Sequence, residues 1–338
     1  MNVRCRTLFA LTLSVIVAMH TMAANAGEIK KSFTNVDEVK IKTVSGNCVI
    51  EKGNGSRVEV VVKYTYDDED YQPEFKQRGS RLVLSEDFLS RHTSGKSTWF
   101  LKVPETTDIS FSTSSGDLEI NDLKSEIDIE TASGNVIINN IHGKMDVRTA
   151  SGAITASGVR GTIELGTASG AVTLSNASGE IEIGTASGVI KVSDIEGTIE
   201  LGTASGEIQI DTASGAFEVG AASGDIAAAE ITLTESSEFE EASGDVEVKL
   251  AKSPQHNLKI SSASGDAIVN FNGNAIVGFI EMTAKARRGK IKAPFEFDRE
   301  QVRSRWDSEY VTKTVQRGKG GPTIEISTAS GLAVLREN

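Results

Sequence analysis

The sequence predicts an all-β chain, a parallel β-solenoid with 18-residue coils, each made of two nine-residue strand-and-turn units. Three observations carry this. Glycine recurs every nine residues, at 134, 143, 152, 161, 170, 179, 188, 197, 206, 215 and 224. Apolar residues fall two and four places after these glycines, as in Val136/Ile138, Met145/Val147, Ile163/Leu165, Ile181/Ile183, Ile199/Leu201 and Phe217/Val219. The segment TIELGTASG occurs identically at 162–170 and 198–206, with the variant EIEIGTASG midway between, so the full unit is a pair of nine-residue halves. Period two followed by a turn marks a strand and not a helix. One such unit cannot bury its own apolar face, but copies stacked about 4.8 Å apart can. Only 5% of the 338 residues are aromatic, which suits a thin interior of Ala, Val, Ile and Leu.

Residues 1–26 read as a secretory signal peptide. Arg4 and Arg6 give the positive start, Leu8 to Met19 an apolar run, and Ala24-Asn25-Ala26 a small-residue cleavage site before Gly27. The run of 12 is short of the roughly 20 residues that span a bilayer. No Cys follows it, so a lipoprotein is not indicated. The expectation is an exported protein of the cell envelope, secreted to the periplasm or the surface. Cys5 leaves with the signal, and Cys48 sits at an inward-type position in SGNCVI as a small buried apolar residue.

Residues 27–110 form an N-terminal β-strand region leading into the solenoid, with VEVVVKYTY, RLVLSE and TWFLKVP as strands. The SG-repeat solenoid follows over 111–275. Hexapeptide helices do not fit, because Ile163 is followed at six and twelve residues by Ser169 and Ser175. Calcium-binding nonapeptide solenoids need paired glycines and a fixed Asp, and the glycines here precede Asn135, Ala153, Ala171, Val189 and Glu207.

VKIKTVSGNCVI, the strand ending at Val103-Pro104, the repeated SG-x-Φ-x-Φ and the closing PTIEISTASGLAVL together resemble the DUF4097 family, bacterial adhesin-type β-strand repeat proteins. The resemblance covers nearly all of the chain after residue 26. It implies a β-solenoid fold, an envelope location and no established chemistry. Residues 276–338 depart from the pattern by placing a basic insertion before the closing coil.

That insertion holds 11 basic residues between Lys285 and Lys319 against 5 acidic ones, a local charge of +6. The rest of the chain after residue 26 carries −20, from 35 basic and 47 acidic residues overall less the two leader arginines. This balance argues against an ordinary nucleic-acid binder. Lys285, Arg287, Arg288, Lys290 and Lys292 form a candidate basic patch for an anionic polymer. The competing reading is a cap over the solenoid end, packed by Trp306, Phe295 and Phe297.

A second candidate is acidic. Asp128, Asp146, Glu164, Glu182, Glu200 and Glu218 recur once per coil and stack on one face. Either they form a solvated stripe or they bind divalent cations weakly, since two carboxylates supply only some of the 6–8 oxygens calcium takes. A third regularity, Thr131/Ser133 through Thr203/Ser205, reads as turn chemistry, with an ice-binding hydroxyl ladder as rival.

No catalytic, cofactor or metal residues emerge. His92, His142 and His256 lie apart from one another, and the TASG serines lack the strand-to-helix setting of a nucleophile elbow. The sequence therefore reads as a non-enzymatic envelope protein, an adhesin or binding scaffold for an envelope polysaccharide or protein. The alternatives are a polysaccharide-active solenoid enzyme and a self-assembling scaffold.

Overall fold

The computed structural model describes residues 27–90, 94–305 and 308–338. The signal-peptide reading, His92 and Trp306 lie outside the described residues.

Every strand of the repeat buries alternate side chains. Ile163, Leu165 and Thr167 point inward from Arg160–Thr167, and Val172 and Leu174 from the strand Val172–Thr185. Coils pair in parallel and in register, each residue beside its equivalent one coil on. Ile163 lies beside Ile181, Ile181 beside Ile199, and Ile199 beside Phe217. Each coil thus contributes to two sheet faces, and the interior between them is a single stack of aliphatic side chains. Beyond Val219 the offset lengthens, with Phe239 as its partner and then Ile260. Phe217 and Phe239 stack there with ring centroids 5.8 Å apart.

The two corners of a coil have different chemistry. At the TASG corner the Thr is buried, and the hydroxyls of Thr131, Thr149, Thr167 and Thr185 accept the N–H of Gly134, Gly152, Gly170 and Gly188 at 2.8–3.0 Å. The threonines are therefore not an outward hydroxyl ladder; only the serines are exposed. The glycines are required by stacking, since a Cβ on Gly170 would sit 1.8 Å from the carbonyl oxygen of Gly152. At the other corner a residue takes positive φ in coil after coil, at Asp122, Asn140, Gly158, Asn176, Asp194, Thr212 and Glu230. Asn, Asp and Gly tolerate that conformation best.

Both ends are built by the same device. The coil made by Glu38–Lys42 and Asn47–Lys52 is not terminal: it lies between Asp108–Thr113 with Leu118–Leu123 on one side and Arg81–Phe88 with Ser97–Val103 on the other. Likewise Thr323–Thr328 and Leu332–Arg336 lie between the coil at 258–270 and an outer coil of Gly278–Lys285 and Lys290–Lys292. The insertion thus adds a coil beyond the closing one instead of only interrupting the array.

Antiparallel strands then cover the sheet edges. Tyr71–Arg78 and Arg57–Tyr64, the latter backed by Gly27–Thr34, do so at one end, and Ser308–Arg317, backed by Arg299–Arg305, covers Gly278–Lys285 at the other. Such strands keep an open parallel ladder from templating another chain. Pro73, which lacks a donor, sits on the strand Tyr71–Arg78, paired on one side only.

The N-terminal end holds most of the aromatic packing, with Tyr64, Tyr66, Tyr71, Phe75, Phe88 and Trp99 in contact. The carboxylate of Glu86 is enclosed there. It accepts from Tyr71 Oη at 3.1 Å, from Ser97 Oγ, from Trp99 Nε1 at 3.5 Å and from Val44 N at 2.8 Å. A half-buried carboxylate with so many donors is structural.

Candidate functional site

The acidic column forms as its spacing requires. Asp128, Asp146, Glu164, Glu182, Glu200 and Glu218 are successive partners across parallel strands. They point outward because their neighbours, such as Ile163 and Leu165 around Glu164, point in. The column continues past Glu218 to Glu238, Lys259, Glu325 and Glu281. Those members are hidden in the sequence because the offset there no longer matches the period.

Two cations divide the column. Arg148 bridges Asp146 at 2.8 Å and Glu164 at 3.4 Å. Lys259 donates to Glu238 and, at 2.8 Å, to Glu240, and these bonds push its ammonium above the ordinary lysine value. Burial raises the Asp146 carboxyl, against the pull of Arg148. Between these pairs Glu182, Glu200 and Glu218 are exposed and, among the described residues, have no ion-pair partner. A shallow depression of about 390 Å³ opens beside them, lined by Thr198, Glu200, Glu218, Glu238, Asn257 and Lys259.

Next to the carboxylates runs a bare strip. Gly166, Gly184, Gly202 and Gly220 are in register on the outward side of the same sheet. A Cβ at Gly184, Gly202 or Gly220 would meet nothing within 4 Å, so packing does not require glycine there.

The basic residues divide into two sets. Lys285, Arg287 and Arg288 gather with Ser304, Ser308 and Glu309 around a depression of about 490 Å³. Lys290 and Lys292 lie outside it, on the short strand beside Leu332–Arg336. Ile291, Ala293, Phe295 and Phe297 of the same segment pack against the core. Arg317 lies 5.1 Å from the ring centre of Phe295, and Lys313 5.9 Å from that of Phe297.

His142 and His256 are exposed and apart, and burial pushes the Cys48 thiol far up, which removes its thiolate chemistry. Among the described residues no group of three or more His, Cys, Asp or Glu is arranged to hold a metal ion.

Glu241 stands out in the structure without standing out in the repeat. It occupies the inward threonine place of its coil, after Thr203 and Ala221. It is 4% exposed, and its Oε2 has no hydrogen-bond partner among the described residues. The signal in the sequence was the substitution of FEEASG for the usual LGTASG.

A family model described as Toastrack DUF4097 matches residues 20–178 and 159–276. No curated protein matches the chain. Among solved structures, a "putative cell adhesion protein" from Clostridium sporogenes is 12% identical, with 92% of this chain and 98% of that one covered at a TM-score of 0.21. A "Putative lipid binding protein" from Parabacteroides distasonis is 13% identical, with coverage of 93% and 97% and a TM-score of 0.37. A "putative adhesin" from Parabacteroides merdae is 11% identical, with coverage of 76% and 94% and a TM-score of 0.23.

Proposed function

The chain belongs to the Toastrack DUF4097 family, and from that premise we propose that it is a non-enzymatic, exported binding scaffold of the cell envelope. The observation that carries this reading is the in-register repetition of outward side chains on one sheet. Glu182, Glu200 and Glu218 occupy one place in three consecutive coils, beside the bare strip of Gly184, Gly202 and Gly220. A ligand that itself repeats meets the same group at each step of about 4.8 Å. Rigid presentation also lowers the entropy that binding must overcome. Antiparallel strands over both ends favour a scaffold that acts singly over one that polymerises end to end.

The test has two arms. Fractionation and surface-protease accessibility of the tagged full chain should place it outside the cytoplasm. Purified envelope polysaccharides should be retained by the wild type and less by a Glu182/Glu200/Glu218→Lys variant of equal melting temperature. A cytoplasmic location, or release of new reducing ends from a polysaccharide, would sink the proposal.

A further inference from the structure

The segment 276–319 carries two kinds of side chain that do different work. Its apolar residues close the stack: Ile280, Met282 and Ala284 are buried in the outer coil, with Ile291, Phe295 and Phe297 packed alongside. Its cations at the far turn contribute nothing to that packing. Arg287 and Arg288 are exposed, and among the described residues no carboxylate pairs with them or with Lys285. The turn that carries them is ordered by backbone bonds: the N–H groups of Arg288 and Gly289 both reach the Lys285 carbonyl, at 3.2 and 2.8 Å. Ala286 N donates to the Glu309 carbonyl at 2.8 Å and ties the turn to the neighbouring strand.

From this arrangement we propose that the depression bounded by Lys285, Arg287, Arg288, Ser304 and Ser308 is a binding site for a phosphate-type oxyanion. The chemistry fits. Two guanidinium forks can each meet a pair of oxyanion oxygens, a lysine adds a compact charge, and serine hydroxyls donate to what remains. The volume of about 490 Å³ is ample for a phosphate group with its substituent.

The charge distribution reinforces the choice. The segment from Lys285 to Lys319 carries +6 against −20 on the rest of the chain after residue 26, so an anion is repelled along the flanks and drawn to this end. Among the described residues Glu309 is the one opposed group on the rim. It weakens an anion bound there, and this gives the site a diagnostic of its own. The proposal does not depend on the scaffold reading, since none of the residues around the depression belongs to the acidic column.

Titration calorimetry of the full chain with pyrophosphate supplies the test, with sedimentation on phosphatidylcholine vesicles, with and without phosphatidic acid, as a second arm. Saturable binding is expected in at least one arm. Binding of pyrophosphate alone identifies a soluble phosphate ligand, and added binding to phosphatidic acid identifies a lipid headgroup. Arg287→Ser with Arg288→Ser should weaken binding roughly tenfold or more without moving the melting temperature. Glu309→Gln should tighten it, while Lys290→Ser with Lys292→Ser should leave it nearly unchanged. Absence of saturable binding in both arms overturns the site. So does an equal loss from the two double variants, which would mean diffuse charge.

Discussion

Gly188 and Gly170 stand so close in adjacent coils that a Cβ on Gly188 would lie 1.7 Å from the Gly170 carbonyl oxygen. Gly202, in the neighbouring coil, faces outward into open space and has no positive φ. The same residue type thus serves two purposes within the length of one coil. Gly188→Ala should destabilise the chain by about 1–3 kcal/mol or more, as overpacking does. Gly202→Ala should be neutral or stabilising by roughly 0.4–1 kcal/mol, through the unfolded state. Denaturant midpoints separate the two, and equal effects would remove the stacking account.

Ile199 is 1% exposed between Ile181 and Phe217, while Ser205 lies on the exposed corner. Ile199→Asp forfeits roughly 1.5–3 kcal/mol of apolar burial and adds the cost of an unpaired carboxylate. Ser205→Ala should shift stability by no more than about 0.5 kcal/mol. Thermal denaturation of both variants checks the inward and outward assignment; comparable losses would contradict it.

The solenoid was legible because its period is a physical requirement. Parallel coils in register force Ile163, Ile181 and Ile199 to the same depth, so burial writes itself into the sequence once per coil. What escaped depends on contacts that no local spacing encodes. Leu332–Arg336 pairs with Ala267–Asn270 across a long intervening segment, and the outer coil then adds itself beyond. Nothing near residue 278 announces that it will stack outside a segment not yet made. The enclosed Glu86 likewise gathers donors from Val44, Tyr71, Ser97 and Trp99, a set with no common spacing. Of the candidate sites, the acidic column was readable as far as the period held, to Glu218. The division of the cations around Arg287 was not, because it depends on how the hairpin folds back.

Glu241 is a defect in the threonine ladder with a pH signature. Its Oε1 accepts from Ser243 N at 2.8 Å while Oε2 is buried without a partner among the described residues, and burial raises its pKa. A raised carboxyl binds more protons folded than unfolded, so stability falls as pH rises from the ordinary value of 4.5 through the folded value. Glu241→Thr should restore the usual bond to Gly244 N and stabilise the protein by about 1–3 kcal/mol at neutral pH. The gain should shrink below pH 4.5, where the carboxyl is protonated in both states. A gain independent of pH would mean that shape, and not charge, is the fault.

Two cations decide where repulsion acts in the acidic column. Asp146 and Glu164 share Arg148, and Glu238 holds Lys259, so repulsion concentrates on Glu182, Glu200 and Glu218. These carboxylates project from one side of a sheet, which leaves most of a calcium shell to water. Such sites fall in the millimolar class. Changing the three to Gln removes like-charge repulsion without touching an ion pair, so the variant should be at least as stable at low salt. The difference should fade as the screening length drops below about 10 Å above roughly 0.1 M salt. Including Glu164 in the change should cancel part of the gain, because Arg148 then loses one partner. Calorimetric scans with and without calcium decide the remaining question. A melting temperature that rises steeply at micromolar calcium, and loses that response in the Gln variant, would make the column a true cation site. A salt-dependent gain with no calcium response leaves it as a solvated contact surface.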